Sequence, residues 1–180
     1  MNTEIEVRIL DINKDDLISK LEENKAQFIG DWKQVRYVYD FNPVLPNKWI
    51  RLRTNGITNT LTIKEKKDYT EHGTKELEIE VSSIEDTDKI LEKLGYKKRS
   101  VQENKRVRYI LNDVEIDIDS WPGLNTYVEF ESDSLDKIKE VIILLGYNYE
   151  DATTDDAQDI YMSKGYTQKD LNNLKFEVDV

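Results

Sequence analysis

Cysteine is absent from this sequence of 180 residues, and histidine occurs once, as His72. Disulfide bonds and thiolate metal sites are therefore excluded, and so are zinc sites built from several histidines. No apolar run approaches the roughly 20 residues that a membrane-spanning helix needs. The polar, acidic start from Met1 to Glu6 differs from a secretory signal peptide. These absences predict a cytoplasmic protein that does not act at a membrane.

Basic residues are in the minority, because 26 Lys and Arg stand against 37 Asp and Glu, a net charge of −11. A protein that coats DNA or RNA needs a basic face for the phosphates, so nucleic acid is not expected as a partner. Hydrophobic residues make up 38% and charged residues 35%, which is typical of a folded, charge-rich protein. The length fits one domain, and we expect residues 1–180 to form it.

Strict alternation of polar and apolar residues predicts eight β-strands. They cover residues 4–9, 34–41, 49–53, 60–64, 76–81, 106–109, 114–119 and 127–131. Three segments have the spacing of amphipathic helices and follow the N-cap candidates Asn13, Ser83 and Ser134: residues 14–23, 84–94 and 135–145. The polar stretch from Ala152 to the end is expected to hold one or two short helices.

The polar faces of the predicted strands consist almost entirely of charged residues, mostly of one sign per strand. Glu76, Glu78 and Glu80 share one face, for example, and so do Arg51 and Arg53. One interpretation is a solvated face with ion pairs between strands, each contributing up to about 1 kcal/mol. The other is an inside-out barrel whose charges line a tunnel, and eight strands suffice to close one around a small ligand. We favour the barrel, because like charges about 4 Å apart repel by roughly 4 kcal/mol at an effective dielectric near 20.

A tunnel with charges of both signs suits a polyanion bound together with a divalent cation. Basic side chains neutralise phosphate oxygens, and carboxylates bind hard cations such as Mg²⁺ or Mn²⁺. The apolar strand faces would then point outward and pack under the three helices.

The order of the charged motifs resembles the CYTH family, also called the triphosphate tunnel metalloenzymes. This family includes class IV adenylyl cyclases, thiamine triphosphatases and inorganic triphosphatases. Glu4-Ile-Glu6-Val-Arg8 matches the family's N-terminal Glu-x-Glu-x-Lys, with an arginine whose reach and donor geometry differ from those of lysine. The other features follow in the family's order over nearly the whole chain: Arg51-Leu-Arg53, Lys64, the glutamate-rich strand 76–81, Arg106-Val-Arg108, Asp119 before Gly123-Leu124, and Glu129-x-Glu131.

The resemblance implies an α+β fold in which a closed eight-stranded antiparallel β-barrel forms a tunnel with helices packed outside. It also implies Mg²⁺ or Mn²⁺ as cofactor and a small-molecule triphosphate as substrate, such as tripolyphosphate, thiamine triphosphate or ATP. By analogy, the metal ligands are Glu4, Glu6, Glu78, Asp119, Glu129 and Glu131. The substrate-binding residues are Arg8, Arg51, Arg53, Lys64, Arg106 and Arg108, and the catalytic set is Glu4, Glu6 and Arg8.

Three functions remain open on the sequence. A triphosphatase directs metal-activated water at the terminal phosphorus, a class IV-type adenylyl cyclase forms cyclic AMP from ATP, and a binding protein performs neither reaction. We favour the triphosphatase, because every motif has residues suited to binding phosphates or metal and none is suited to recognising a nucleotide base. Trp49 could stack a ring at the tunnel mouth or simply pack there. Whether Lys164 or Lys169 reaches the tunnel is left open, as is a homodimer.

Overall fold

The computed structural model describes residues 2–66 and 74–177. Its elements follow one another as β1 (Asn2–Ile9), α1 (Lys14–Glu23), β2 (Gln27–Asp40), β3 (Lys48–Thr54), β4 (Asn59–Lys66), β5 (Thr74–Glu80), α2 (Ile84–Lys93), β6 (Lys97–Leu111), β7 (Val114–Ser120), β8 (Tyr127–Ser132), α3 (Leu135–Leu144), α4 (Ala157–Ser163) and the two-residue β9 (Asn173–Leu174). Single turns of 3₁₀-helix, Tyr149–Asp151 and Asp170–Asn172, precede α4 and β9. Among the described residues, no helix is both long and apolar enough to cross a bilayer.

The eight predicted strands are all present and form one antiparallel sheet. Its order is β2-β3-β4-β5-β1-β8-β7-β6, with β9 parallel to β6 at the end. β2 also pairs with β6, so the sheet curls back on itself. β2 and β6 begin earlier than predicted. Residues 27–33 and 97–105 lack clean alternation and yet pair with each other ahead of the predicted segments.

The sheet is an open half-barrel, and the predicted closed barrel is wrong in this respect. At the seam between β1 and β5, three residue pairs join the strands within the part of the chain that the structure describes, from Asn2–Glu76 to Glu4–Thr74. From Ile5 onward, β1 pairs with β8 on its other side. Within the described residues, the free edge of this part of β1 has one isolated bridge, between Arg8 and Thr153. The inner side of the half-barrel, called the trough below, is therefore open along this seam.

The three predicted helices are confirmed together with their N-caps. The Asn13 side chain accepts hydrogen bonds from the backbone N–H groups of Asp15 and Asp16, both at 3.1 Å, which satisfies donors that the first turn of a helix leaves free. Ser83 does the same for α2, with Asp86 N–H at 3.1 Å. Of the one or two short helices expected after Ala152, the structure has one α-helix, α4, which begins with a capping box between Asp156 and Asp159.

The main core lies on the outer side of the sheet, beneath α1 and α3. Ile116, Val128 and Phe130 on β7 and β8 are fully buried there against Leu17 of α1 and Ile138 of α3. Each such side chain contributes roughly 1.5–3 kcal/mol when removed from water. Because successive side chains of a strand point to opposite faces, this outward core leaves the charged residues inside, as the inside-out interpretation predicted.

The outer face of β5 departs from that expectation. Leu77 and Ile79 point outward as predicted but are 52% and 56% exposed, so no described element covers them. The α2 helix instead packs Leu91 against the β3 side, in a smaller cluster with Tyr39 and Leu52.

Candidate functional site

The trough contains a cavity of about 860 Å³, and nearly all of the predicted site residues line it. They are Glu6, Arg8, Arg51, Arg53, Lys64, Glu78, Arg106, Arg108, Asp119, Glu129 and Glu131. The side chain of Glu4 lies outside the described residues, as does His72. A volume of this size is within the usual range for small-molecule sites. The structure thus brings the predicted residues to one place, while their roles as ligands stay predictions.

Three carboxylates on β1 and β8 form a compact group, called the acidic cluster below. Glu6 lies directly opposite Glu131, and Glu129 is two residues away on the same face. One carboxylate oxygen from each of Glu6, Glu129 and Glu131 can be chosen so that all lie within 4.8 Å of one another. Oxygen donors at this spacing fit a hard divalent cation such as Mg²⁺ or Mn²⁺.

Glu78 and Asp119, the other predicted metal ligands, lie outside the acidic cluster. Glu78 is on β5, where its Oε2 accepts hydrogen bonds from Thr62 Oγ1 at 2.5 Å and Arg51 Nη2 at 3.1 Å. Asp119 is fully buried and accepts two hydrogen bonds from Arg106, at 2.8 and 2.5 Å. Both carboxylates thus have arginine partners within the protein.

Arg8 belongs to the acidic side of the trough. Its guanidinium forms ion pairs with Glu129 and with Glu6, the latter at 3.2 Å, and donates to the backbone carbonyl of Asp155 at 2.9 Å. Burial acts to lower the pKa of Arg8, but the charges of Glu129 and Glu6 outweigh it and raise this pKa. Conversely, burial acts to raise the pKa of Glu129, whereas Arg8 and Arg106 hold it well below its usual value.

Arg106 and Arg108 on β6 are neutralised mainly by carboxylates of β7. Asp117 accepts two hydrogen bonds from Arg108, at 2.7 and 2.6 Å, and also pairs with Arg106. Arg106 in addition lies 3.4 Å from Glu129, so it connects β7 with the acidic cluster. No role was assigned to Asp117 from the sequence, yet its side chain is nearly fully buried in the structure. That Asp117 shares a strand face with Asp119 was the feature of the sequence that could have indicated its place in the trough.

The opposite side of the trough carries four basic residues on β2, β3 and β4, called the cationic wall below: Arg36, Arg51, Arg53 and Lys64. Lys64 pairs with Glu76, and Arg51 lies 3.1 Å from Glu78. Arg53 reaches Glu78 only at 3.8 Å. The nearby charge of Arg51, together with burial, lowers the pKa of Arg53 to about 8. Positive charge on this wall is thus only partly balanced by the protein.

Arg36 is the member of the cationic wall that sequence reasoning missed. It lies directly opposite Arg53 in the β2–β3 register and therefore shares its inward face. Its guanidinium carbon is 4.3 Å from the centre of the Trp121 ring, a cation–π arrangement. The alternation of residues around Arg36 and Val38 could have placed Arg36 on the inner face. Tyr37 and Tyr39 on the outer face are amphipathic, so the two faces differ little in polarity.

A strap of residues 153–159 crosses the open seam of the trough. At one end, the Arg8 and Thr153 backbones exchange hydrogen bonds of 2.8 and 2.9 Å. At the other, Lys66 of β4 pairs with Asp159 at 2.8 Å and Asp156 at 3.3 Å. Of the late lysines left open by the sequence, Lys164 pairs with Asp11 on the outside at 3.4 Å.

Among the tryptophans, Trp49 lines the trough on β3, directly opposite Asp40 and Lys64 on the neighbouring strands. Trp121 is buried at the trough wall in a cluster with Tyr161. Trp49 is thus placed as predicted, with its function as a ring-stacking residue untested.

The family model for the CYTH domain matches residues 2–156. This chain belongs to the CYTH family. Among solved structures, a conserved hypothetical protein from Pyrococcus furiosus is 25% identical to this CYTH chain, with a TM-score of 0.75 over 86% of this chain and 97% of that one. No curated protein matches the sequence closely enough to count as a relative.

Two further CYTH-like structures share the fold at low sequence identity. A candidate adenylate cyclase from Vibrio parahaemolyticus is 13% identical, with a TM-score of 0.77 over 89% of this chain and 98% of that one. A candidate adenylyl cyclase from Hippeastrum, described as having a dominant triphosphatase activity, is also 13% identical, with a TM-score of 0.62 over 93% of this chain and 98% of that one.

Proposed function

We propose that this CYTH protein is a divalent-metal-dependent triphosphatase. The observation that carries the proposal is the division of the trough into an acidic cluster on β1 and β8 and a cationic wall on β2, β3 and β4. A triphosphate with its metal carries both signs of charge and matches both sides at once. A solvated sheet face would instead scatter these charges over the surface.

The acidic cluster would hold Mg²⁺ or Mn²⁺ through Glu6, Glu129 and Glu131, and Glu4 is proposed as a further ligand on sequence grounds. When bound, the metal polarises a phosphoryl oxygen and orients the attacking water. Arg8 holds Glu129 and Glu6 in place, because it contacts both carboxylates. The protein's own contribution is thus a fixed set of oxygen ligands on two paired strands.

The cationic wall would bind the phosphate oxygens. Arginine forks match phosphate geometry, and lysine adds a point charge. Arg51 and Lys64 currently contact Glu78 and Glu76, so substrate binding would exchange part of these ion pairs for phosphate contacts. Arg106 and Arg108 are more fully neutralised by Asp117 and Asp119, and we propose that they orient the carboxylates as well as the substrate.

Hydrolysis is the first reaction to test, because the Hippeastrum protein with a dominant triphosphatase activity has this fold. The pure protein would be incubated with tripolyphosphate, thiamine triphosphate or ATP in the presence of Mg²⁺ or Mn²⁺. Release of inorganic phosphate by the wild type, lost in Glu6→Gln and kept in the exposed α3 control Glu140→Gln, supports the proposal. Cyclic AMP as the product would indicate a cyclase, and binding without any product would indicate a binding protein. Either result would overturn the triphosphatase assignment.

The cytoplasmic location, the single domain over 1–180 and the homodimer stay predictions.

A further inference from the structure

Arg36 and Arg53 are like-charged residues that lie directly opposite each other on β2 and β3 inside the trough. They are direct neighbours in the β2–β3 register, both point inward, and both line the cavity. Like charges directly opposite each other on paired strands destabilise a sheet. A folded protein keeps such a pair where the positive charge serves a ligand.

The two residues differ from the other trough arginines in how little carboxylate surrounds them. Arg8, Arg51, Arg106 and Arg108 each have a carboxylate oxygen within 3.2 Å. Arg53 has its nearest, Glu78, at 3.8 Å. For Arg36, no carboxylate of the described residues lies within ion-pair distance, and its buried Nε has no hydrogen-bond partner there.

Arg36 is nevertheless firmly positioned. Its guanidinium stacks on Trp121, and its Nη2 donates to Asn104 Oδ1 at 2.9 Å. The Asn104 amide in turn donates to Asp119 at 3.2 Å, so Arg36 is tied to the buried network around Arg106. Burial and the charges of Arg51 and Arg106 lower the pKa of Arg36 to about 10, which leaves it charged at neutral pH. An immobilised cation loses little further side-chain entropy when it binds an anion.

We propose that Arg36 and Arg53 form a clamp of two guanidinium groups that binds one phosphate group of the triphosphate substrate. The inference rests on the proposed function and adds Arg36 to the substrate-binding residues. Two forks facing one phosphate can each donate paired N–H groups to its oxygens. The phosphate charge also removes the repulsion between the two arginines. The clamp lies on the wall opposite the acidic cluster, so it would hold one end of the polyanion while the metal contacts another part.

The clamp is tested by binding of tripolyphosphate in the presence of EDTA, where hydrolysis does not interfere. Calorimetry would compare the wild type with Arg36→Ala, Arg53→Ala and the double variant. Each single change should weaken affinity about 10-fold or more, because a charge-assisted contact is lost. The double variant should lose less than the product of the two single effects, since both residues hold the same phosphate. The control is Arg99→Ala, because Arg99 also lines the cavity but pairs with Asp40 at 2.9 Å, and its affinity should match the wild type.

A thermal readout separates ligand binding from a structural role. Without ligand, Arg36→Ala loses the contacts with Trp121 and Asn104 but also the repulsion from Arg51 and Arg106, so its melting temperature should stay close to that of the wild type. A lower melting temperature with unchanged tripolyphosphate affinity would overturn the clamp and leave Arg36 a structural residue. If the wild type binds tripolyphosphate tightly and Arg36→Ala binds it equally well, the clamp is overturned while the proposed function stands. A wild type that binds tripolyphosphate neither in EDTA nor with Mg²⁺ present overturns the proposed function as well.

Discussion

Arg8 of β1 and Glu129 of β8 lie directly opposite each other and form a buried ion pair on the acidic side of the trough. The same guanidinium donates to the Asp155 carbonyl in the strap, so one side chain connects the acidic cluster with the C-terminal part of the chain. Since arginine stands here where the family signature has lysine, its extra donors have a visible use: one contacts carboxylate and another contacts backbone. A change in the position of the acidic cluster should therefore also alter the position of the strap.

The first prediction concerns the acidic cluster. Glu6→Gln and Glu131→Gln keep the side-chain size but remove a charged oxygen ligand, so phosphate release should fall by about 100-fold or more, beyond the effect of losing an outer partner. Mn²⁺ binding, measured by calorimetry, should weaken in parallel while the circular dichroism spectrum stays unchanged. Glu140→Gln on the exposed face of α3 is the matched control. Wild-type Mn²⁺ affinity in both trough variants would contradict the metal assignment.

The second prediction concerns Arg106, which faces Asp117, Asp119 and Glu129. Arg106→Met removes the shared cation of three buried carboxylates, so the free energy of unfolding should drop by about 3–5 kcal/mol. Arg99→Met breaks a more exposed pair with Asp40 and should cost less than about 1 kcal/mol. Urea unfolding measures both. Equal losses in the two variants would show that Arg106 does not hold this network together.

The third prediction is a pH dependence caused by Glu129. Its pKa is lower in the folded protein than in the unfolded chain, where a glutamate titrates near pH 4.3. The contribution of ionised Glu129 to the free energy of unfolding is therefore complete above that pH and is lost as the pH falls below it. The free energy of unfolding should drop more steeply between about pH 5 and 3 in the wild type than in Glu129→Gln.

Asp119 acts in the opposite sense, because burial raises its pKa despite Arg106. The charge of Glu129 also raises the pKa of Asp119, so the difference between the two pH curves reports these two carboxylates together. Glu78→Gln provides a second comparison. Hydrogen bonding by Thr62 and the charge of Arg51 lower the pKa of Glu78 against the effect of burial. Parallel pH curves for the wild type and both variants would show that neither carboxylate is stabilised by its arginine.

The fourth prediction concerns the turn after Trp121. Gly123 has a φ of +75°, and an added Cβ would lie 2.5 Å from the Tyr166 hydroxyl oxygen. Gly123→Ala should therefore cost about 1 kcal/mol for the positive φ and a further 1–3 kcal/mol for the overlap. Gly56, with a φ of +84° and no atom within 4 Å, supplies the control, since Gly56→Ala should cost only the first amount. Equal melting temperatures would mean that Tyr166 moves aside freely.

The strands and their inward faces were predictable because side chains alternate strictly along a strand. Glu129 and Glu131, or Arg51 and Arg53, had to share a face wherever the strands lay. That Glu6, Glu129 and Glu131 belong to one metal site was inferred only from the family resemblance, and the pairing of β1 with β8 that brings them together was not predicted. Local sequence carries no information about which distant strand becomes a neighbour.

The open seam and the role of Arg36 could not be predicted in the same way. How many residues β1 and β5 share depends on the tilt of the whole sheet, which no single segment encodes. Arg36 was not predicted because Tyr37 and Tyr39 flank Val38 on β2, so the sequence does not show which face of this strand is polar. The capping box of Asp156 and Asp159 was not recognised in the sequence, and nothing in the sequence indicated that Lys66 pairs with both residues.

The position of β1 between β5 and β8 constrains the order in which this protein can be made. Val7 is synthesised well before its partner Phe130, because five strands and two helices lie between β1 and β8 besides β7. Until then, the edge of β1 that pairs with β8 is exposed, a hazard for association with other nascent chains. Closing so long a loop is slow, because its entropy must be lost before the contacts between β1 and β8 form. Polyphosphate and metal therefore cannot guide early folding, and they can stabilise only chains that have already joined their first strand to their last long one.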